Sequence, residues 1–520
     1  MSAACLSRTA AHLPKAAAAF ATLVGALLGS RAAFAFDGEV TSDSSAQFYD
    51  LRSPTGETVI ERRRFTEMLG LGVYNLTNAP PGDPKAPDLS LKLRLRYDAD
   101  YGVSPSETDP GQPNSIVPGV TQGNVDLMYA YLEGRRQFGG LFGFKLGRQY
   151  VTDVLGWWSF DGGQLSVTTP FFVKAEVYGG LEQRGGMPLS SSRFEADGIW
   201  RGDRSNYPAS LYPDFHQATV APAVGAAIES TGVTWIHGRL TYRRVYNTGA
   251  SDVTMFQSGL FTPAAYNGTR ISSDRLGYAM DAAWKEYGGI KGGVVFDLYR
   301  NEITTGYASI DAYAGQKVTI SADYDYYVPS FDADSIWNFF AGEPHNDVGL
   351  RANVNVTDHL SIAANGHVRV YSVQTAEFTP GGTAPYMPSV NYSPSGTYYP
   401  SNGQPFDEGG NLSVRWKTGE TLLGLHGSGD FGDEGDRVGA DASGEHVFDA
   451  RYIVRGRAGV WQWKDNLQPD RDATGFNYVA GVGYRFAPRS VGSVEWEHDL
   501  NGLVGNRFRV MLALTLGLMK

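Results

Sequence analysis

The residues of this 520-residue chain best equipped for chemistry are charged side chains spaced two apart. Lys92, Arg94 and Arg96 are followed at the same spacing by Asp98 and Asp100. Arg239 and Arg243 stand on the parity opposite Ile236, Leu240 and Tyr242, while Arg451, Arg455 and Arg457 form a third basic row and Arg507 with Arg509 a fourth. Asp323, Asp325, Glu495, Glu497 and Asp499 supply acidic counterparts. Rows of this kind attract, repel and pass dissolved ions. They do not fit a dry interior, because an unpaired buried ion costs several kcal/mol. A second constellation is nucleophilic: His426 and Ser428 share a parity with Asp430, and a serine next to a base that a third group orients can attack an ester. Their neighbours Gly424, Gly427 and Gly429 make a polar wall the simpler reading.

Other candidates carry less. Asp430, Asp433, Glu434 and Asp436 crowd one segment, but their spacing is not that of an EF-hand, and a solvated acidic loop tip is expected. Arg201-Gly202-Asp203 is a tripeptide short enough to arise by chance, and Tyr386, Tyr392, Tyr398 and Tyr399 can shield their own loop as readily as stack on a sugar. Nine histidines without metal-ligand spacing, and no phosphate-cradling glycine loop before a helix, nominate no cofactor and no metal.

The elements that position the charges are strands. Leu89, Leu91, Leu93, Leu95, Tyr97, Ala99 and Tyr101 alternate with Ser90 and the charged row, so the two sets lie on opposite faces of one extended segment about 40 Å long. The contrast recurs at Val318 to Tyr326, Val348 to Val356, Leu360 to Val370, Phe476 to Phe486, Val491 to Leu500 and Phe508 to Leu518. These runs exceed the usual 5–6 residues of a globular strand and reach the 9–11 that a tilted strand needs to cross a bilayer. Aromatic clusters at Trp157, Trp158 and Phe160, at Phe171 and Phe172, at Trp337, Phe339 and Phe340, and at Trp461 and Trp463 are expected in the two interfacial girdles.

Composition agrees. Glycine is abundant (64 residues), only 19% of the chain is charged, and no long apolar run follows the first 35 residues, which excludes a polytopic helical transporter. A net charge of -11 disfavours a nucleic-acid binder, and 12% aromatic content disfavours disorder. Arg8 and Lys15, the apolar stretch Ala16 to Leu28 and Ala33-Phe34-Ala35 read as a secretory signal peptide cut after Ala35. Cleavage removes Cys5, the single cysteine, and leaves 485 residues that rely on neither disulfides nor thiolate-bound zinc.

Short connections at Phe138-Gly139-Gly140, Thr169-Pro170, Thr231-Gly232, Gly288-Gly289, Thr357-Asp358, Gly419 and Ala487-Pro488 alternate with long ones near 103–123, 183–216, 247–275, 329–345, 373–408 and 465–473. The expected fold is therefore all-β: a single transmembrane antiparallel up-and-down β-barrel of roughly 18–22 strands with long external loops. Residues 1–35 are the leader, 36–62 a first strand, a luminal insert or a periplasmic extension, and 63–520 the barrel.

The run Phe138 to Gln149, FGGLFGFKLGRQ, followed by Phe160-Asp161-Gly162, resembles the Gly-Arg-Gln strand and Phe-Asp-Gly of bacterial outer-membrane porins, among them general porins and channels related to alginate exporters. The resemblance covers about 25 residues. It implies that Tyr150 to Phe160 folds inward as a pore constriction, with an interfacial hairpin as the alternative. Met519-Lys520 departs from the terminal aromatic of such barrels, and His426-x-Ser428 is similar to a motif of outer-membrane phospholipase without its downstream asparagine.

The combined expectation is a passive channel for small hydrophilic solutes or ions in the outer membrane, with the charged rows lining its pore and a preference for anions. Its partners would be membrane lipids, the solutes and the barrel-assembly machinery, with no nucleic acid and no cofactor. A non-conducting barrel serving as scaffold, adhesin or sheath is the alternative, and a lipid hydrolase a more remote one.

Overall fold

A computed structural model describes residues 37–77, 86–100, 125–183, 221–247, 255–257, 260–262, 269–329, 344–371, 406–432, 435–465 and 469–519. The leader, Trp337, Phe339, Phe340, the Arg201-Gly202-Asp203 tripeptide, the four loop tyrosines and most of the long connections lie outside the described residues.

The strands in chain order are β1 (Asp37–Arg52), β2 (Thr58–Tyr74), β3 (Asp88–Asp100), β4 (Val125–Arg136), β5 (Phe142–Asp153), β6 (Gly156–Thr168), β7 (Val173–Glu182) and β8 (Pro222–Ser230). There follow β9 (Ile236–Asn247), the short pair β10 (Met255–Gln257) and β11 (Leu260–Thr262), β12 (Arg270–Trp284), β13 (Gly288–Asp297), β14 (Glu302–Ala314), β15 (Val318–Tyr327) and β16 (His345–Asn355). The last are β17 (Leu360–Tyr371), β18 (Phe406–Thr418), β19 (Thr421–Gly432), β20 (Gly435–Phe448), β21 (Tyr452–Asp465), β22 (Ala473–Ala487), β23 (Ser490–Asn501) and β24 (Gly505–Met519). All but β10 and β11 belong to one 22-stranded sheet, in which each strand pairs antiparallel with the next, β9 passes directly to β12, and β24 returns to β1. The sheet is thus a closed barrel without a free edge. Closure matters because a membrane interior offers no water to satisfy an open ladder.

Within the described residues Asp37–Arg52 is a strand of this wall, paired with β2 on one side and β24 on the other. Barrel strands run from 9 to 17 residues. Among the described residues no helix is long and apolar enough to cross a membrane.

Alternation fixes the two faces. Leu91, Leu512, Leu350 and Leu425 belong to the apolar parity and are 39%, 40%, 60% and 60% exposed, a level that an aqueous surface would penalise and hydrocarbon accepts. An exception stands on β2, where Glu67 shares the outward parity of Phe65, Leu69 and Leu71; it accepts hydrogen bonds from Ser42 (2.7 Å) and from Ser44, its neighbours on β1.

Both termini of the barrel lie at the end closed by tight turns, such as Thr169–Phe172, Gly419-Glu420, Asp449–Arg451 and Pro488-Arg489, and the strand ends that border the long connections lie at the other end, except for those bordering residues 75–87. The glycine pair expected as a turn is displaced: Lys285 to Tyr287 make that turn, and Gly288 and Gly289 begin β13. Asp430 and Asp436 likewise lie within β19 and β20, not in a loop.

The girdles are built differently from the expectation. Trp158 and Phe160 are 2% and 0% exposed and turn away from the outer surface. Trp461 and Trp463 share the inner parity of Arg455 and Arg457, and Trp461 carries the Arg437 guanidinium 5.3 Å from its ring. Phe171 and Phe172 stand exposed in the β6–β7 turn, and further outward aromatics are Tyr478, Trp496 and Phe508 near the loop end and Tyr452, Tyr484 and Phe486 near the turn end, in ring contacts of 5.0–6.2 Å. Aromatic residues were legible in the sequence; the parity of the strands that carry them decides which face they serve.

Candidate functional site: the barrel lumen and its inward hairpin

The β5–β6 hairpin organises the lumen. β4 and β5 pair over only five positions, Ala130–Arg148 to Gly134–Phe144, the shortest register between neighbours among the described barrel strands. Beyond it β5 leaves β4. The departure is made at Gly147, whose φ of 121° is closed to most side chains, and a Cβ there would overlap the Ala130 carbonyl. Arg148 replaces the lost strand partner: its guanidinium donates to the Leu127 carbonyl (2.9 Å) and forks onto Asp161 of β6 (2.6 and 2.8 Å). The Gly-Arg-Gln and Phe-Asp-Gly pieces thereby become one device that fastens β5 to β6 where the hairpin parts from the wall.

The hairpin then folds across the inner faces of β7, β8 and β9. Trp158 stacks on Phe160 (4.3 Å), both rings contact Tyr178 of β7 (5.6 and 5.9 Å), and Val151, Ala221, Ala223 and Val245 complete a buried apolar cluster. Fully burying rings of this size contributes roughly 2–3 kcal/mol each. At the tip, Asp153 accepts from the Leu155 amide (2.9 Å) and from Arg243 of β9 (3.0 Å), and Arg243 also lies over the Trp158 ring at 5.0 Å. Val154 and Leu155 rest on Gly277 of β12, where an added Cβ would collide with both. A chord from β5 and β6 to β12 that passes over three intervening strands runs through the interior. The segment Tyr150 to Phe160 is therefore an inward hairpin, not an interfacial one.

The charged rows face the same interior and most meet partners there. Lys92 reaches Glu133 of β4 (3.3 Å), Arg94 reaches Asp43 of β1 (2.7 Å), and Asp98 accepts from Arg64 of β2 (2.8 Å). Arg96 is buried, and Asp100 closes β3. Arg239 bridges Glu176 and Glu229 (2.5 and 2.6 Å). Asp323 accepts from Ser309 (2.7 Å) and meets Arg351 at 3.4 Å, while Asp325 lies in register with Asp347. Arg455 pairs with Glu495 (2.8 Å), Arg457 with Asp441 (3.2 Å), and Arg507 and Arg509 both with Glu497, at 2.7 Å for the former. Arg451 sits in the Asp449–Arg451 turn at the foot of β21, apart from the strand positions of Arg455 and Arg457.

His426 and Ser428 do lie on the inner face, but His426 turns its Nδ1 to Asp441 of β20 (3.4 Å), and Ser428 faces Asn411 and Gly439 across its two ladders. Among the described residues no group of three metal-ligating side chains converges.

Sequence reading missed a cluster at the foot of the hairpin. Glu133, 4% exposed, gathers Lys92, Lys145 (3.7 Å) and Arg135 (2.8 Å), and both lysines lie over the Tyr131 ring at 5.9 and 5.7 Å. The signal for Lys145 was present, since it alternates with Phe144 and Leu146, but only the register between β4 and β5 brings it to Glu133. The groups around the lumen can hold water, exchange ion contacts and narrow a passage.

No family model and no curated protein sequence matches this chain. Among solved structures it is similar to a BenF-like porin from Pseudomonas fluorescens, with a TM-score of 0.42 and 9% identity over 94% of this chain and 99% of that one. It is also similar to OccAB4 of Acinetobacter baumannii, with a TM-score of 0.41 and 7% identity over 93% and 98% of the two chains. A third is OpdK of Pseudomonas aeruginosa in a structure with vanillate, with a TM-score of 0.40 and 9% identity over 94% and 99%.

Proposed function

We propose that this chain is exported through a cleaved leader, residues 1–35, and forms an outer-membrane channel through which small hydrophilic solutes or ions diffuse passively. The observation that carries the reading is the division of faces in a closed 22-stranded wall, apolar outward and ionised inward, with a hairpin held against the inner wall. Ion pairs that line a barrel and remain partly exposed require water, and water continuous across a membrane conducts. Membrane lipids and the barrel-assembly machinery are the partners this reading entails. Enzymatic chemistry finds no support in the arrangement of His426 and Ser428.

Selectivity is set where the passage is narrowest and charge least balanced. At the foot of the hairpin Lys92, Lys145 and Arg135 gather around Glu133, with Asp88 in register with Arg135, and this excess of cations favours a modest anion preference. Elsewhere the basic rows are matched by carboxylates, so the preference is weaker than the rows alone suggest.

Purified protein in a planar bilayer is expected to give stepwise conductance, with a reversal potential in a salt gradient on the anion side. Arg94→Glu, which sets a second carboxylate against Asp43, should move that potential toward cations while the barrel still assembles. A protein that inserts but passes no current would establish the rival reading of a sealed scaffold.

A further inference from the structure

We propose that the luminal face of the β5–β6 hairpin is a stacking site for a neutral pyranose ring, which the solute meets as it passes the constriction. The proposal deepens the channel reading and rests on it.

Opposite faces of a hairpin strand do opposite work. Gln149, Val151, Trp158 and Phe160 are buried against the wall. Tyr150, Thr152 and Trp157 alternate with them and face the lumen, where Tyr150 and Trp157 are each 39% exposed. The rings are continuous. Tyr131 and Tyr129 of β4 lie 5.8 Å apart, Tyr129 and Tyr150 are 5.9 Å apart, and Trp157 meets Tyr150 edge-on at 5.9 Å. Four rings thus climb from the buried Tyr131 to the open Trp157. Held by one another, the rings give up little rotamer freedom when a ligand arrives, which lowers the entropic cost of binding.

The chemistry around the exposed end selects the ligand. The cations that border the hairpin are engaged: Arg94 with Asp43, Arg243 with Asp153, and Lys92, Lys145 and Arg135 around Glu133 beneath the buried Tyr131. Beside Tyr150 and Trp157 there remain the uncharged hydroxyls of the tyrosine and of Thr152, which is in register with Trp157. Flat apolar faces edged by neutral hydroxyl groups match a ring whose faces carry C–H bonds and whose rim carries hydroxyls. The surplus of cations around Glu133 lies beneath the buried Tyr131, and among the described residues an aromatic anion would find the ring faces of Tyr150 and Trp157 but no cation without a partner beside them.

The test uses the whole protein in planar bilayers with methyl glucopyranoside, with sorbitol as the acyclic polyol of similar size and with benzoate as the aromatic anion. The pyranoside should interrupt the current in a concentration-dependent manner and sorbitol should not. Trp157→Ala should raise the blocking concentration about ten-fold, and Trp157→Phe, which keeps a ring, should restore most of the effect. Saturation-transfer NMR on detergent-solubilised protein reads binding independently of current. Conductance without block and without transfer would overturn the stacking site and leave the channel standing. Block by benzoate alone would overturn it in favour of an anionic ring. Transfer to the pyranoside in a protein that carries no current would uphold the site and overturn the channel.

Discussion

At the scale of single residues, Arg243 shows how a side chain acquires its task from distant sequence. It lies 90 residues from Asp153, its side chain is 8% exposed while that of Asp153 is fully enclosed, and it adds a contact with the Trp158 ring. Breaking a pair so enclosed leaves a buried charge without its counterion, a loss of about 3 kcal/mol or more. Arg243→Ala should therefore free the hairpin tip without opening the wall: single-channel traces are expected to become noisier and their mean conductance larger, while the folded band on unheated gels persists. Alternation in the sequence places Arg243 on the inner parity, yet nothing local names Asp153. The same is true of Arg94, whose partner Asp43 precedes it by 51 residues. Period-two patterning reports which face a residue occupies; partners are fixed by how far neighbouring strands are shifted, and that shift is set by the whole ring.

At the scale of elements, the hairpin and the wall are separable units joined at Gly147 and Arg148. The wall is held by ladders that do not involve residues 150–158, whereas the hairpin is held by an apolar cluster, the Asp153–Arg243 ion pair, the hydrogen bond that the Trp158 indole donates to Glu182 and the seat at Gly277. Gly277→Leu puts a side chain where Val154 and Leu155 lie, so the tip must lift. Greater conductance with unchanged β-sheet circular dichroism is the expected result, and equal loss of both would mean that hairpin and wall fold as one unit. The FGGLFGFKLGRQ resemblance indicated an inward fold as one of two outcomes. What decided between them, the burial of Trp158 and Phe160 against Tyr178 and Val245, depends on contacts across three strands. The clusters at Trp158 and Phe160 and at Trp461 and Trp463 misled for the same reason: indoles suit an interface and an enclosed site equally, and only the parity of the finished strand separates the two.

At the scale of the molecule, strand length and alternation were sufficient for the architecture, because each transmembrane strand must repeat the same apolar and polar contrast to satisfy hydrocarbon on one side and water on the other. The weakly patterned stretch around residues 36–62 was not legible. Its outward positions include Ser42 and Ser44, and a strand whose lipid face is partly polar loses its signature. Yet β1 carries ladders on both sides, 16 paired positions with β2 and 14 with β24. Deleting Asp37–Arg52 should leave a chain that reaches the membrane but does not resist heating in detergent, as a shift in gel mobility would report.

The junction of β1 with β24 also dictates an order of events. β1 must wait, one flank bare, until β24 is finished, since no other segment of the described chain offers it that ladder. The ring can snap shut only once β24 has been made, so a product cut short before that strand is left with two raw flanks, prey to aggregation or proteolysis.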